Sequence, residues 1–269
     1  MLLSNFEYIP LRLVRKFLVP EGLARRAARF LPFYLAPQGR ISPRPIVDRY
    51  ESALRGEGGS VAGKQILEVG TGGSNGTAYE LAARGARIVT ALEPYVGLEE
   101  AMDSEQLRSV AASAGVDPSA IAGRTSRITS LDAVPPGSID LVLSHSVLEH
   151  VLDPAAFLSA LAGRLASGGS MVHVVDYRDH FFKYPYHFLQ FSRSSWDRFL
   201  NPGDLPRWRL GDHLSICDRL GLAVEVLQST EDRSAFARIA PYLSRDFRRE
   251  DPTLAVLTAV LRMRRRETS

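Results

Sequence analysis

A glycine-rich turn between a short apolar run and a helix-forming stretch most constrains how this chain folds. It spans residues 66–77, which read I-L-E-V-G-T-G-G-S-N-G-T. The apolar residues of 66–69 predict a short buried strand, and 78–83 predicts a helix. A strand, a glycine loop and a helix in this order place backbone N–H groups and the positive end of a helix beside a ligand. The sequence therefore predicts an α/β protein with a ligand cradle at this loop.

The spacing of the glycines separates two classes of ligand. The dinucleotide fingerprint G-x-G-x-x-G would begin at Gly70 and Gly72 and needs a third glycine at position 75, where this chain has Asn75. The pattern acid-x-Gly-x-Gly is met by Glu68, Gly70 and Gly72. This pattern resembles the first motif of class I S-adenosylmethionine-dependent methyltransferases. The resemblance implies S-adenosylmethionine as cofactor, bound by Glu68, Gly70, Thr71, Gly72 and Gly73.

A second strand is predicted over 87–92, and it ends at Glu93 and Pro94. Glu93 lies 23 residues beyond Gly70 (93 − 70). An acid at about this distance follows the second strand of a βαβ unit and accepts hydrogen bonds from ribose hydroxyls. Glu93 and Pro94 are therefore predicted cofactor residues, although an acid here serves the adenosine of either ligand class.

The region around a predicted fourth strand makes the resemblance specific. Residues 138–146, S-I-D-L-V-L-S-H-S, form an apolar run typical of a buried parallel strand. They are followed by V-L-E-H-V and by Asp153-Pro154, an arrangement that resembles the fourth-strand region of type 11 methyltransferases. Gly168-Gly169 before 170–175 resembles the turn into the fifth strand of that family. The resemblance covers about 64–176 and implies a Rossmann-like, doubly wound, seven-stranded and mostly parallel sheet.

Further cofactor residues follow from the same resemblance. The family usually has an acid after the third strand that binds the adenine amine, whereas this chain has Thr129-Ser130-Leu131 with Asp132 slightly displaced. Ser130 and Leu131 are the residues expected at the adenine. Ser144 and His145, at the end of the fourth strand, are expected beside the cofactor.

Two regions flank or interrupt the methyltransferase domain, which we place at 61–269. Prolines divide residues 1–60, which we interpret as a helical N-terminal cap. Within it, 11–18 and 23–31 alternate apolar residues with basic ones, so this segment packs over the domain or makes weak contact with a membrane surface. An aromatic insertion at 177–210 follows the fifth strand, where it either forms a wall of the acceptor pocket or the core of a small lid.

The histidines supply the candidates for catalysis. His150 follows the fourth strand and Asp176 ends the fifth, which places both at the carboxyl edge of the sheet. We predict His150 as general base with Asp176 assisting it, which resembles sugar O-methyltransferases of this fold, and His180 as the alternative base. His173 lies within the fifth strand and is predicted to be buried and structural. No H-x-x-x-H pair is present, so no metal site is predicted.

Charge and cysteine content exclude several classes. The net charge is +3, and the basic residues, of which only Lys16, Lys64 and Lys183 are lysines, are interleaved with acids, so no nucleic-acid partner is expected. The single cysteine, Cys217, provides neither an intramolecular disulfide nor a Cys-based zinc site. No apolar run has the length of a membrane span, and the first residues lack the features of a signal peptide. We therefore expect a cytoplasmic protein.

The predicted function is methyl transfer to a hydroxyl of a small-molecule acceptor. A sugar, a polysaccharide precursor or a natural product of secondary metabolism would fit, since D-Y-R-D-H-F at 176–181 resembles such enzymes. Methylases of exocyclic base amines resemble one another in an Asn-Pro-Pro-aromatic tetrad, and this chain has 144–147 S-H-S-V instead. Two alternatives remain: an NAD-dependent oxidoreductase on a Rossmann sheet, and a non-catalytic partner protein that keeps the methyltransferase fold.

Overall fold

The computed structural model describes residues 9–10, 13, 42–56, 58–180, 184–201, 205–247 and 250–266. The basic segments predicted at 11–18 and 23–31 lie outside the described residues, apart from Leu13. In the described part of the chain, no helix is long and apolar enough to cross a membrane.

The described residues form one seven-stranded sheet, with strand order β3-β2-β1-β4-β5-β7-β6. The first five strands in this order are parallel, and β7 is antiparallel to both β5 and β6. This topology confirms the predicted doubly wound, mostly parallel sheet. The strands are β1 Gln65–Val69, β2 Ile88–Leu92, β3 Thr125–Ile128, β4 Ile139–His145, β5 Leu165–Asp176, β6 Leu222–Glu231 and β7 Val256–Arg265.

Helices cover both faces of the sheet because successive strand residues point to opposite sides. Ile66 packs with α1 to α4, whereas Leu67 packs with α5 and α7 on the other face. The helices are α1 Pro43–Arg55, α2 Gly76–Ala83, α3 Glu100–Ala114, α4 Pro118–Ala122, α5 Pro154–Ala162, α6 Arg193–Ser195, α7 Leu210–Arg219 and α8 Arg233–Ile239. A π-helical turn, Trp196–Leu200, continues α6.

A third apolar cluster lies beneath the segment that follows β5. It contains Tyr186, Phe188 and Trp196 from the aromatic insertion, together with Ile239 from α8. Several aromatic residues of the insertion therefore pack together in this cluster. Tyr177, Phe188 and Trp208 of the insertion also line a cavity at the sheet edge.

One local prediction was wrong. Gly168-Gly169 does not form a turn before β5 but lies within it, where the register against β4 shifts and Gly168 has a φ of +72°. Helix α5 ends at Ala162, just before this strand. Asp212 lies in the first turn of α7, where its carboxylate accepts a hydrogen bond from the Arg209 backbone N–H at 2.9 Å.

Candidate active site at the carboxyl edge of the sheet

The loop between β1 and α2 contains two glycines with left-handed backbones and different surroundings. Gly70 has a φ of +82°, and a Cβ there would lie 2.3 Å from Cγ2 of Val147. Gly72 has a φ of +70°, and a Cβ there would have no neighbour within 4 Å. Gly70 thus lets the loop approach the segment after β4, whereas Gly72 leaves open space above the loop. This is the cradle that the glycine pattern predicted.

Arg127, on β3, holds this loop in place and was not predicted as a site residue. Its Nη2 donates to the carbonyl oxygens of Gly72 at 2.7 Å and of Val96 at 2.8 Å. Its Nη1 donates to the side-chain oxygen of Asn75 at 3.2 Å. The Asn75 backbone N–H in turn donates to Asp103 at 2.7 Å. Asn75, the residue that departs from the dinucleotide fingerprint, therefore fixes the start of α2.

The carboxyl group of Glu68, on β1, is buried beside the glycine loop. The residue is 3% exposed, and its Oε2 has no hydrogen-bond partner among the described residues. Burial is the main reason that the pKa of Glu68 rises to about 7; the charge of Glu93 adds to the rise, while a hydrogen bond from Thr71 opposes it. A buried carboxyl oxygen without a donor is costly, so the site suits a ligand that brings a hydrogen-bond donor.

Glu93 follows β2 directly and is buried at the other side of the loop. Its Oε2 accepts a hydrogen bond from the Gly72 backbone N–H at 2.9 Å. Its Oε1 accepts from the backbone N–H groups of Tyr95 at 3.0 Å and Val96 at 3.1 Å. Pro94, which follows Glu93 directly in the chain, is exposed. The carboxylate therefore lies at the cradle, at the position that the spacing predicted.

The predicted adenine and fourth-strand residues differ in their surroundings. Ser130, which is exposed, caps a short 3₁₀ helix that begins at Leu131, because its hydroxyl accepts from the Asp132 backbone N–H at 3.2 Å. Ser144 is fully buried, and its hydroxyl lies 2.7 Å from Nδ1 of His173. The Ser144 hydroxyl is therefore engaged inside the sheet, against β5.

The end of β4 turns sharply towards the cofactor loop. His145, its last residue, is half-buried; burial lowers its pKa, the charge of Arg49 adds to this, and Asp176 opposes it. Ser146 follows with a φ of +54°, a left-handed conformation that is uncommon outside glycine. This turn places Val147 against Gly70 and begins the 3₁₀ turn Leu148–His150.

The structure brings together the three predicted catalytic residues. The ring centroids of His150 and His180 are 5.2 Å apart. Nε2 of His180 lies 3.3 Å from the backbone carbonyl oxygen of Asp176. Burial lowers the pKa of His180, the charge of Asp176 opposes this effect, and His150 adds to it.

The Asp176 carboxylate is paired with Arg178. It accepts hydrogen bonds from the Arg178 backbone N–H at 3.0 Å and from Nε at 2.8 Å. Burial by itself would raise the pKa of Asp176, but these hydrogen bonds and the positive charge of Arg178 outweigh it, so the pKa is lowered. Asp176 is therefore a carboxylate near neutral pH, and it supplies negative charge beside His180.

Glu149 was not predicted as a site residue, yet it lies at the centre of this group. It is 6% exposed, its Oε1 accepts from the Asp176 backbone N–H at 3.3 Å, and its Oε2 has no partner among the described residues. Burial, with a smaller contribution from the charge of Asp176, raises the pKa of Glu149 to about 8. Glu149 belongs to the V-L-E-H-V motif, but the sequence analysis predicted a catalytic role only for the neighbouring His150.

A small cavity of about 20 Å³ adjoins these groups. Its walls include Glu149, His180 and Arg207, together with the aromatic side chains of Phe188 and Trp208. The indole Nε1 of Trp208 donates to the carbonyl oxygen of Val151 at 2.7 Å, which fixes the insertion to the turn after β4. This volume is comparable to that of a single water molecule.

Fold and loop together define a class. A mostly parallel sheet whose first loop is an open glycine cradle, with one buried acid on β1 and another directly after β2, is the cofactor-binding part of a class I S-adenosylmethionine-dependent methyltransferase. The open space at Gly72 and the unpaired oxygen of Glu68 both suit a cofactor with a sugar and an amino-acid end.

Comparison with known proteins gives the same class. A family model described as a methyltransferase domain matches residues 21–224, more than half of the chain. The chain belongs to this methyltransferase family, and its cofactor is S-adenosylmethionine, as the glycine loop predicted. The enzyme class is therefore established, and the oxidoreductase alternative falls away.

Curated relatives and solved structures are similar over most of their lengths. The ubiquinone biosynthesis O-methyltransferase of Neisseria meningitidis serogroup C is 26% identical over 229 residues, which cover 80% of this chain and 91% of the relative. The enzyme of the same name from Hahella chejuensis is 26% identical over 235 residues, with coverage of 84% and 90%. The magnesium protoporphyrin IX methyltransferase of Synechocystis, solved with bound SAH, has a TM-score of 0.52 at 16% identity and coverage of 96% and 98%. The YcgJ protein of Bacillus subtilis has a TM-score of 0.50 at 14% identity, with coverage of 84% and 100%.

Proposed function

We propose that this enzyme methylates a hydroxyl oxygen of a small-molecule acceptor. The observation that carries the proposal is the contact between the cofactor loop and the turn that bears the histidine. Val147 lies against Gly70, and His150 follows Val147 by three positions. A proton acceptor is thus held beside the place where the cofactor binds. The names of the curated relatives, which are O-methyltransferases, support oxygen as the methylated atom.

We assign cofactor binding to residues on both sides of the cradle. Glu68 would bind the amino-acid end, and Glu93 would bind the ribose hydroxyls. The assigned residues are Glu68, Gly70, Thr71, Gly72, Gly73, Glu93, Pro94, Ser130, Leu131, Ser144 and His145. When bound, S-adenosylmethionine supplies an electrophilic methyl group on a sulfonium sulfur.

His150 acts as the general base that removes the hydroxyl proton, since a neutral hydroxyl is a poor nucleophile. Asp176 assists by its negative charge, and His180 is the alternative base. Such a base contributes about 10²- to 10⁴-fold to the rate. Positioning of the acceptor contributes more, about 7–11 kcal/mol, and we assign it to the aromatic side chains of the insertion after β5.

The acceptor class is decided by a panel of hydroxyl compounds. Sugars, polysaccharide precursors and natural-product hydroxyls belong on it, and the names of the relatives add precursors of ubiquinone. Release of labelled methyl product from any of these would exclude a non-catalytic role. Binding of S-adenosylmethionine with no turnover on the whole panel would support the role of a cofactor-binding partner protein instead.

Calorimetric titration with S-adenosylmethionine and S-adenosylhomocysteine tests the cofactor assignment. We expect one binding site per chain, and a wild-type protein that gave no heat signal with either compound would overturn the cofactor assignment.

The His150→Ala variant tests the role of His150 as general base. We expect its kcat to fall by about 10²- to 10⁴-fold while its affinity for S-adenosylhomocysteine stays unchanged. A wild-type rate in this variant would remove His150 from the mechanism.

A further inference from the structure

Three potential metal ligands converge beside the cavity from two separate segments. Glu149 and His150 lie on the 3₁₀ turn after β4, and His180 lies on the segment after β5. One ligand atom from each of these residues lies within 4.8 Å of the other two. The two histidines are 30 positions apart (180 − 150), so a search for closely spaced histidines in the sequence does not find them together.

The buried carboxyl oxygen of Glu149 supplies an independent indication of a ligand. The Oε2 atom has no partner among the described residues, although the residue is more than nine-tenths buried. A buried carboxylate oxygen without a donor or a cation is unfavourable. The cavity that Glu149 and His180 line is about 20 Å³, a size that suits an ion with a bound water better than a whole acceptor.

We propose that Glu149, His150 and His180 bind a divalent transition-metal cation. Two imidazoles and one carboxylate favour zinc, manganese, iron or cobalt over magnesium or calcium, which prefer all-oxygen sites. Ligand atoms about 2.0–2.2 Å from a metal lie about 3–3.5 Å apart, so the cluster must contract by about 1.5 Å. Rotation of the His180 side chain away from the Asp176 carbonyl oxygen, 3.3 Å from its Nε2, would supply this movement.

The metal site is an addition to the proposed methyl transfer, and it would change how the acceptor hydroxyl is activated. Three protein ligands leave a coordination position open, as at catalytic metal sites. An acceptor hydroxyl bound there would have its pKa lowered by the cation, so that its proton would pass to solvent water before the oxygen takes the methyl group. His150 would then act as a ligand in the metal-bound enzyme and as a base only without metal.

The binding test uses Co²⁺, whose visible d–d absorption reports nitrogen and oxygen ligands. The full chain, stripped of metal with a chelator and without S-adenosylmethionine, is titrated with Co²⁺ and then with Zn²⁺ as competitor. We expect saturation at one Co²⁺ per chain and loss of the bands on addition of Zn²⁺. In Glu149→Gln and His180→Ala, we expect the affinity to fall at least about tenfold.

Two control variants match these changes. His145→Ala removes a histidine that lies four positions before Glu149 (149 − 145), and Glu231→Gln neutralises an exposed carboxylate at the end of β6. Both should bind Co²⁺ as the wild type does. Equal affinities in all five proteins, or no absorption bands in the wild type, would overturn the site. His180→Ala keeps the test valid if Glu149→Gln does not fold, because His180 is exposed.

Failure of this inference is distinguishable from failure of the proposed function. Calorimetry with S-adenosylmethionine on the same metal-free protein reports the cofactor site independently of the cation. Cofactor binding without Co²⁺ binding refutes the metal site alone, and Co²⁺ binding without cofactor binding refutes the proposed function alone.

Discussion

At the scale of single residues, a glycine such as Gly72 can serve a loop in two ways: it adopts a left-handed backbone, and it leaves space for a ligand. Gly72 and Gly137 have nearly the same φ, +70° and +68°, and a Cβ at either position would meet nothing within 4 Å. Alanine at either site should cost about 1–2 kcal/mol of stability, because both backbones are left-handed. Only at Gly72 would the added methyl group enter the cradle.

We therefore expect Gly72→Ala to weaken binding of S-adenosylmethionine at least tenfold, or about 1.4 kcal/mol, and Gly137→Ala to leave it unchanged. Calorimetric titration measures the affinity, and urea unfolding measures the shared cost in stability. Equal cofactor affinities in the two variants would show that the space above Gly72 is not where the cofactor binds.

Glu68 makes stability depend on pH in a defined direction. Its pKa in the folded protein is about 7, compared with an ordinary value of 4.5, mainly because of burial. The unfolded chain therefore releases this proton first, and the free energy of unfolding falls as pH rises from about 4.5 to about 7.

Glu68→Gln removes this contribution. In cofactor-free protein, we expect the variant to gain stability relative to the wild type over this interval, by on the order of 3 kcal/mol at most. Above about pH 7 the difference should stay constant. Urea unfolding at pH 4.5, 5.5, 6.5 and 7.5 measures it, and parallel curves for the two proteins would contradict the assignment.

A site residue can be predicted from the sequence when its contacts lie close to it along the chain. The glycine loop and Glu93 were found because their spacing within one βαβ unit is itself the signal. Arg127 was missed because its partners, Gly72 and Val96, lie 55 and 31 positions away. Glu149 was missed for a similar reason, since its burial depends on β5 and on the insertion after it.

At the scale of elements, Arg127 connects β3 to the loops that follow β1 and β2. Its planar guanidinium donates to both loops at once, which a lysine ammonium on a flexible stem cannot reproduce. We expect Arg127→Lys to lose about 1.5–3 kcal/mol of unfolding free energy and about tenfold in affinity for the cofactor. Chemical unfolding and calorimetry measure the two effects.

Arg124 provides the matched control for this change. It lies one residue before β3 and is exposed, and its side-chain Nη1 donates a long hydrogen bond to the Ala82 carbonyl oxygen at 3.5 Å. Arg124→Lys should change stability and affinity little. If it weakened cofactor binding as much as Arg127→Lys, the effect would reflect lost charge near β3 and not the connection between the loops.

The elements themselves were predictable where hydrophobic pattern alone decides them. Strands β1, β2 and β4 lie at predicted positions because buried parallel strands are continuous apolar runs. Helix α1 lies in the segment predicted as a helical cap, but its bounds were not predicted, because the prolines there were interpreted as breaks, whereas proline is tolerated in the first turn of a helix. Strand β5 is longer than predicted because a register shift accommodates its glycines, and only the pairing with β4 reveals that shift.

At the scale of the whole molecule, two fully buried histidines link stability to acid pH. His173 on β5 and His213 on α7 are each 0% exposed, with Nδ1 paired to the hydroxyls of Ser144 and Tyr177. Burial lowers the pKa of His173 to about 4. Burial, followed by the neighbouring charges of His173 and Arg209, lowers that of His213 to about 3. Both histidines therefore stay neutral in the folded protein where the unfolded chain would protonate them.

Since their ordinary pKa is 6.5, this contribution to stability is fully present above that pH and is lost as pH falls towards 4. Each histidine contributes at most about 1.4 kcal/mol per pH unit.

The double variant His173→Asn with His213→Asn keeps a hydrogen-bond acceptor near each hydroxyl and removes the titrating imidazole rings. We expect the double variant to be less stable at pH 7, because the smaller side chains leave cavities, and to lose less stability between pH 6.5 and pH 4.5. Urea unfolding across this interval measures both slopes. A wild type and a variant that declined in parallel would mean that acid unfolding is driven by other groups, and that the buried histidines do not limit the stability of the sheet.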